Sequence, residues 1–292
     1  MKITKITLGI FLSAFLIGCV SFATYIYLLR VKQKETHADE SIELANNQIY
    51  VPTQLPPETT SLKEQEQNDE WYEKKPNYKV KLLTPGEFHG DEVTAKSGEK
   101  WLGLFRENDK YFLRFTKIKV RRVLDPVFHD IDLKESRKTG KEVDVNNENK
   151  PIFLLKNAAM LHGGKVLTLF SQTDGYENNS MLNGFTKDFN LNGTNYTLKV
   201  VGDNPSNESL DVTSKLVLIS GNSEQIVYKL GACDDCGWSL FWVGDLDGDG
   251  KLDLFADVNY HYNVTSRRLF LSSQAKDGEL VKEVAIFSTV GC

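Results

Sequence analysis

The stretch from Asp245 to Asp253 constrains this chain more than any other part of its sequence. Aspartates occupy its first, third, fifth and ninth positions, and Gly250 stands at the sixth, where the backbone must turn sharply. Carboxylates packed this closely repel one another unless a cation lies between them. Ca²⁺ takes six to eight oxygen ligands in loose geometry, whereas Mg²⁺ prefers a strict octahedron with several waters. The stretch therefore predicts a Ca²⁺ site, and the alternative is an acidic surface turn that binds nothing.

The residue type at each position defines the predicted ligand set. No cysteine or histidine lies in the stretch, which argues against zinc and copper. The expected ligands are three aspartate side chains, one lysine backbone carbonyl, and a fourth aspartate that binds directly or through water: Asp245, Asp247, Asp249, Lys251 and Asp253. Since all of these ligands belong to one short loop, the ion is expected to tie the two flanks of the loop together.

The flanks of this loop favour strands over helices. Residues 239–243 and 252–256 are short, apolar and rich in aromatic side chains, as strands are. Ala256 stands at the twelfth position, where an EF-hand has a bidentate glutamate. The sequence therefore predicts a strand–loop–strand Ca²⁺ site.

Residues Gly244 to Leu254 resemble the calcium loops of FG-GAP and VCBS-type repeats, which occur in integrin α-subunit propellers and in many secreted bacterial proteins. The resemblance implies the same ligand set as above. The loop pattern occurs once in the chain, whereas a propeller requires several similar blades. More broadly, the carboxyl-terminal half resembles that of uncharacterised bacterial exported proteins with one such loop.

The amino terminus predicts a membrane anchor over residues 1–32. Ile6 to Leu29 is an uncharged run of 24 residues with basic residues on both sides. Such a run is long enough to cross a bilayer as a helix, and longer than the hydrophobic region of a cleaved signal peptide. The alternative is a lipoprotein, because residues 16–19 resemble a lipobox ending at Cys19. Since weak Ca²⁺ sites suit the extracellular milieu, the body of the chain is placed outside the cytoplasm.

Charge and composition divide the rest of the chain into two parts. Residues 33–76 carry four lysines against ten acidic residues and few apolar ones, so this segment is predicted to be a disordered acidic linker. Residues 77–292 carry 27 basic and 30 acidic residues, a near balance that implies no nucleic-acid partner. They are numerous enough for one globular domain or two small ones.

The fold predicted for residues 77–292 is mainly β, an irregular antiparallel sandwich or a barrel-like domain. Short segments rich in β-branched and aromatic residues alternate with turn signals such as Asn192-Gly193. The predicted strands cover residues 78–83, 101–105, 111–123, 166–171, 196–201, 215–220, 225–230, 240–243, 252–258, 268–272 and 281–287. Residues 272–275 are expected to form a single helical turn.

Three cysteines fall in the body of the chain, at positions 233, 236 and 292. Cys233 and Cys236 have the spacing of a redox or zinc half-site, but no second pair of ligands follows and the surroundings are strands. A structural disulfide is the expected outcome, and it implies an oxidising compartment. Either Cys233 bonds Cys236, or Cys292 bonds one of the two.

The chain contains no recognisable catalytic motif. The leading hypothesis is therefore a membrane-anchored, extracytoplasmic β protein with a structural Ca²⁺ ion, which binds a protein or glycan partner or acts as a scaffold at the cell envelope. The alternative is an envelope hydrolase using His129, Asp130 and Asp132. Lys117, Lys119 and Arg121 share one face of a predicted strand, which is either a solvated outer face or a patch for an anionic ligand.

Overall fold

The computed structural model describes residues 76–126, 138–147, 149–172, 179–203 and 209–291. The predicted anchor and all but the last residue of the predicted linker lie outside these ranges. Several residues singled out in the sequence also lie outside them: Cys19, His129, Asp130, Asp132 and Cys292. In the part of the chain that the structure describes, no helix has the length and apolarity needed to cross a membrane.

Strands dominate the described residues, which confirms the prediction of a mainly β fold. The strands are β1 (Lys81–Leu83), β2 (Gly86–Phe88), β3 (Lys100–Glu107), β4 (Lys110–Val123), β5 (Gly140–Val145), β6 (Leu154–Lys156), β7 (Gly164–Ser171), β8 (Thr186–Leu191), β9 (Thr194–Val201), β10 (Lys215–Ser220), β11 (Ser223–Lys229), β12 (Trp238–Asp245), β13 (Asp253–Val258), β14 (Val264–Leu271) and β15 (Lys282–Val290). One turn of 3₁₀-helix, Ser272–Gln274, follows β14 where a helical turn was expected.

Eleven of these strands form one antiparallel sheet that is nearly closed into a barrel. Nine of them follow in the order β1–β6–β3–β4–β7–β12–β13–β14–β15, and β1 and β15 at the two ends approach each other. The remaining two branch from the long strand β4, which pairs with β5, and β5 pairs with β2. Of the two architectures left open by the sequence, the barrel-like one is therefore observed.

The other four strands form a separate antiparallel sheet in the order β11–β10–β9–β8. Asn192 and Gly193 connect β8 to β9 with φ angles of 51° and 86°. A two-residue hairpin with both central residues at positive φ is the type I′ turn, which matches the twist of the flanking strands and favours Asn-Gly.

The two sheets enclose two apolar cores, and β12 and β13 contribute to both. Trp242 and Phe255 belong to the core inside the barrel, where Phe255 packs on Phe153 with ring centroids 4.8 Å apart. Trp238 and Leu254 belong to the core shared with the four-stranded sheet. Because successive side chains of a strand point to opposite faces, a strand between two cores must be apolar on both. This explains the continuous burial of β13.

Four observed strands were not predicted: β2, β5, β6 and β8. Two of them are only three residues long. The other two, β5 and β8, contain several charged or amide side chains, which weakens the apolar alternation. Pairing with neighbours in the folded sheet forms these strands in spite of weak local preference.

Candidate metal centre

The Asp-rich loop is the connection between β12 and β13. Asp245 is the last residue of β12 and Asp253 is the first residue of β13. Gly248 and Gly250 adopt φ angles of 79° and 81°, in the left-handed region that side chains with a Cβ rarely enter. The predicted strand–loop–strand arrangement is therefore observed, and the glycines allow the chain to fold back within a few residues.

Three of the predicted ligands converge at this loop. One carboxylate oxygen from each of Asp245, Asp247 and Asp253 lies within 4.8 Å of the other two. Asp253 is fully buried and Asp245 is 8% exposed. The Oδ2 atom of Asp247 is buried and has no hydrogen-bond partner among the residues that the structure describes. A buried carboxylate oxygen without a partner is costly, so its position beside two other carboxylates requires a compensating interaction.

Backbone amides of the loop donate hydrogen bonds to both carboxylate oxygens of Asp245 and to one carboxylate oxygen of Asp253. Gly248 and Gly250 donate their amides to the two oxygens of Asp245, at 2.7 and 3.0 Å. The Leu246 amide donates to Oδ2 of Asp253 at 2.7 Å. These hydrogen bonds orient both carboxylates, and each of the three accepting oxygens keeps a further lone pair.

Asp249 and Lys251, the other two predicted ligands, are not among the three converging carboxylates. Both carboxylate oxygens of Asp249 lie 3.1 Å from the hydroxyl of Ser272, and Oδ1 accepts the Lys251 amide at 2.8 Å. The Asp249 residue is exposed. Lys251 has an exposed side chain and lies just before β13. Ligation through Asp249 and through the carbonyl of Lys251 remains a prediction.

Burial and mutual repulsion raise the pKa values of the inner carboxyls. Burial is the largest cause for Asp253, the charge of Asp247 adds to it, and together they raise its pKa to about 8. For Asp245, burial again raises the pKa most, and the amides of Gly248 and Gly250 oppose the shift. The site therefore resists carrying all of its negative charge without a counter-ion.

Two residues of the site were not predicted from the sequence. Ser272, at the end of β14, donates its amide to Oδ1 of Asp253 at 2.7 Å. Tyr196 on β9 hydrogen-bonds the Leu252 backbone, and its pKa is raised by burial first and then by the charges of Asp249, Asp253 and Asp245. No local signal marks either residue, because strand pairing and sheet packing alone bring them to the loop.

The four-stranded sheet also reaches the loop through its hairpin turn. A Cβ placed on Gly250 would lie 3.7 Å from Nδ2 of Asn192. The Asp-rich loop therefore lies where the end of β14 and the β8–β9 hairpin meet.

The cysteine pair forms the local disulfide. The sulfur atoms of Cys233 and Cys236 lie 1.98 Å apart, and the two Cα atoms are 5.2 Å apart. A Cα separation in this range is ordinary for a disulfide. Of the connectivities left open by the sequence, the Cys233–Cys236 bond is therefore observed.

The basic side chains of β4 face solvent. Lys117, Lys119 and Arg121 are all exposed at alternating positions of the strand. Arg121 forms an ion pair with Glu142 at 2.7 Å. This arrangement has the geometry of a solvated outer face of the sheet.

Comparison with known proteins returned no matching family model, curated protein or solved structure. The resemblance to FG-GAP and VCBS-type loops therefore rests on residues 244–254 alone.

Proposed function

We propose that the β12–β13 loop binds Ca²⁺ through the carboxylates of Asp245, Asp247 and Asp253, with Asp249 and the carbonyl of Lys251 completing the ligand set. The observation that carries the proposal is the buried Oδ2 of Asp247, which has no hydrogen-bond partner within the described ranges and lies beside the carboxylates of Asp245 and Asp253. A cation at the centre of the three supplies the interaction that this oxygen lacks.

The spacing and type of the ligands favour calcium. Ca²⁺–oxygen distances are about 2.3–2.6 Å, so two ligands of one ion can lie up to roughly 5 Å apart. The three carboxylate oxygens lie within 4.8 Å of one another, which fits this span. All donors are oxygens, as hard cations require, and an acidic loop with two glycines has the adaptable geometry that Ca²⁺ tolerates better than Mg²⁺.

The role of the ion on this proposal is to join elements that meet at the loop. Asp253 opens β13 and is hydrogen-bonded to Ser272 at the end of β14. Tyr196 brings β9 of the other sheet to the same place. Neutralising the loop removes repulsion at a point where both sheets converge, and this stabilises the folded state.

The second part of the proposal is that the body of the chain lies on the outer side of a membrane. The amino-terminal apolar run supplies the anchor, and the acidic segment that follows it supplies a spacer. The disulfide between Cys233 and Cys236 supports an oxidising compartment. We infer a membrane-anchored β protein with its body outside the cytoplasm, which binds a protein or glycan partner or acts as a scaffold at the cell envelope.

Thermal unfolding of the full-length chain in mild detergent tests the metal site. Tryptophan fluorescence reports the transition, since Trp238 and Trp242 are buried. If Ca²⁺ binds the native state alone, a concentration about 100 times its dissociation constant adds roughly 2.7 kcal/mol of stability over the chelated protein. Mg²⁺ at the same concentration is expected to add less. Equal midpoints with Ca²⁺ and with chelator contradict the proposal.

Two substitutions sharpen this test. Asp247→Asn is expected to abolish the stabilisation by Ca²⁺ and to leave the chelated protein as stable as before, or more so, because the charge of Asp247 disfavours ionised Asp253. Asp277→Asn removes one charge from an exposed turn and keeps the full response to Ca²⁺. A normal Ca²⁺ response in Asp247→Asn counts against the assigned ligands.

A further inference from the structure

A polar cavity of about 500 Å³ lies apart from the Asp-rich loop, between β2 and the β14–β15 ladder. Its volume falls in the range of small-molecule sites. One wall is the β14–β15 ladder with Thr265, Arg267 and Thr289, and the other is the end of β2 with Phe88 and His89.

The register of the ladder places the polar side chains of the first wall together. Thr265 and Arg267 are two residues apart on β14 and so point to the same face of the sheet. Thr289 lies directly opposite Thr265 on β15, and the two hydroxyls are hydrogen-bonded to each other. The pair can still donate one hydroxyl proton outward. This wall therefore presents a guanidinium beside a hydroxyl donor.

Arg267 has unused hydrogen-bonding capacity. Within the described ranges, its guanidinium makes a single side-chain hydrogen bond, from Nη1 to the hydroxyl of Thr84, and no ion pair within 4.0 Å. The Nε atom is buried and has no hydrogen-bond partner in the described part of the chain. Asp257 lies opposite Arg267 on β13 and the two charges interact, but Oδ1 of Asp257 accepts the Ser266 amide and no ion pair within 4.0 Å joins the two side chains in the described ranges. A guanidinium carries five donors in a planar fork that fits carboxylate and phosphate oxygens.

The acidic residues of the cavity are compatible with an anionic ligand. Glu92 uses one carboxylate oxygen to accept the amide of His89 and the other to accept the amide of Val290. Glu87 is exposed on β2, where water screens its charge. On the second wall, Nδ1 of His89 lies 2.8 Å from the buried carboxylate of Asp125, which fixes the orientation of the imidazole ring.

The rim adds an aromatic surface. Tyr262 lines the cavity, is 65% exposed, and packs on His261 with ring centroids 4.4 Å apart. An exposed ring of this kind offers a flat apolar face with a polar edge. A guanidinium, hydroxyl donors and an aromatic face together suit a hydroxylated ring that carries an oxyanion.

We propose that this cavity binds a small acidic sugar, with Arg267 holding the oxyanion and the Thr265–Thr289 pair bonding to the oxyanion or a neighbouring hydroxyl. The oxyanion is the carboxylate of a uronic acid or the phosphate of a sugar phosphate. The proposal is independent of the Ca²⁺ site, because none of the proposed metal ligands lines the cavity.

Isothermal titration of the full-length chain with glucuronate, glucose 6-phosphate and glucose tests the proposal. At least one of the two acids is expected to bind at least tenfold more tightly than glucose, because a hydrogen bond to a charged group is worth about 1.5–3 kcal/mol. Binding of glucuronate alone assigns the ligand to the uronic acids, and binding of glucose 6-phosphate alone assigns it to the sugar phosphates. Equal affinity for glucose, or no binding of either acid, overturns the proposal.

Three variants locate the binding. Arg267→Gln is expected to weaken binding of the acid about tenfold or more, and Thr265→Val by a few-fold. Thr265→Val keeps the β-branched shape and the strand, so it remains informative if Arg267→Gln fails to fold. Arg114→Gln removes the same charge from an exposed position on β4 outside the cavity and leaves binding unchanged. Wild-type affinity in both Arg267→Gln and Thr265→Val overturns the assignment.

Discussion

The amide of Ser272 donates a 2.7 Å hydrogen bond to Oδ1 of Asp253, and the Ser272 hydroxyl lies 2.9 Å from the same oxygen. Both residues are buried, and they are 19 positions apart in the chain. The contact joins the end of β14 to the start of β13. The innermost carboxylate of the candidate metal centre is therefore oriented partly from outside its own loop.

Replacing Ser272 with alanine tests the importance of this contact. Ser272→Ala keeps the backbone hydrogen bond to Asp253 and removes only the hydroxyl that faces Asp249 and Asp253. Loss of the hydrogen bonds of this hydroxyl is expected to lower the free energy of unfolding by about 1 kcal/mol, measured by urea denaturation. Ser273→Ala, at the adjacent exposed position, serves as the control and stays within about 0.5 kcal/mol of wild type. Equal effects of the two substitutions contradict this prediction.

The stability of the calcium-free protein is expected to fall as pH rises. Burial raises the pKa of Asp257 to about 6 and that of Asp253 to about 8, from an ordinary value of 3.8. Between pH 3.8 and the raised pKa of each carboxyl, the native state binds more protons than the unfolded state. The stability that these two protonated carboxyls contribute is therefore complete below pH 3.8. It is lost as the pH rises through about 6 for Asp257 and about 8 for Asp253.

Urea denaturation in chelator across this pH range measures the slope. Asp253→Asn is expected to flatten the upper part of the profile, and saturating Ca²⁺ is expected to do the same, because the ion stabilises the ionised carboxylate. Uptake of Ca²⁺ near pH 7 then releases protons, which titration calorimetry in buffers of different ionisation enthalpy detects. A stability that rises between pH 6 and pH 8 in chelator is the contrary result.

Gly244 marks a close contact between β12 and β7 just before the loop. A Cβ at this position would lie 2.2 Å from the Leu167 carbonyl oxygen and 2.6 Å from the Trp242 ring. Because the first of these is backbone, Gly244→Ala forces the two strands apart and is expected to cost about 1–3 kcal/mol. Gly231→Ala has open space around its Cβ and serves as the matched control. Chemical denaturation of the two variants side by side checks the prediction, and similar midpoints count against it.

The Cys233–Cys236 disulfide closes a very short loop, and its effect on stability is correspondingly limited. Chain-entropy arithmetic for a loop of this length gives about 2 kcal/mol. The Cys233→Ser/Cys236→Ser double variant is therefore expected to fold and to lose about that much stability in denaturant. Mass spectrometry of the alkylated, non-reduced wild type is expected to show both cysteines protected. Alkylation of either one without reductant contradicts the bond.

Much of the strand content was predictable because many strands carry their signal in their own residues. Lys215 to Ser220 was predicted with the observed ends, since its apolar run is bounded by clear turn residues. The charged strand β5 was missed, because Gly140 to Val145 forms a strand only by pairing with β4. Likewise the choice between sandwich and barrel depended on β1 reaching β15, a contact between the two ends of the sheet.

The Asp-rich turn and its flanking strands follow from local sequence patterns alone. Carboxylate spacing, glycines that tolerate positive φ and apolar alternation all act within a few residues of one another. The contact of Asp249 with Ser272 and the position of Tyr196 beside the loop arise only when the chain folds. The same is true of the position of Arg267 in the wall of a cavity. These contacts join segments far apart in the chain, so they depend on strand order and on how the sheets pack, which no local pattern encodes.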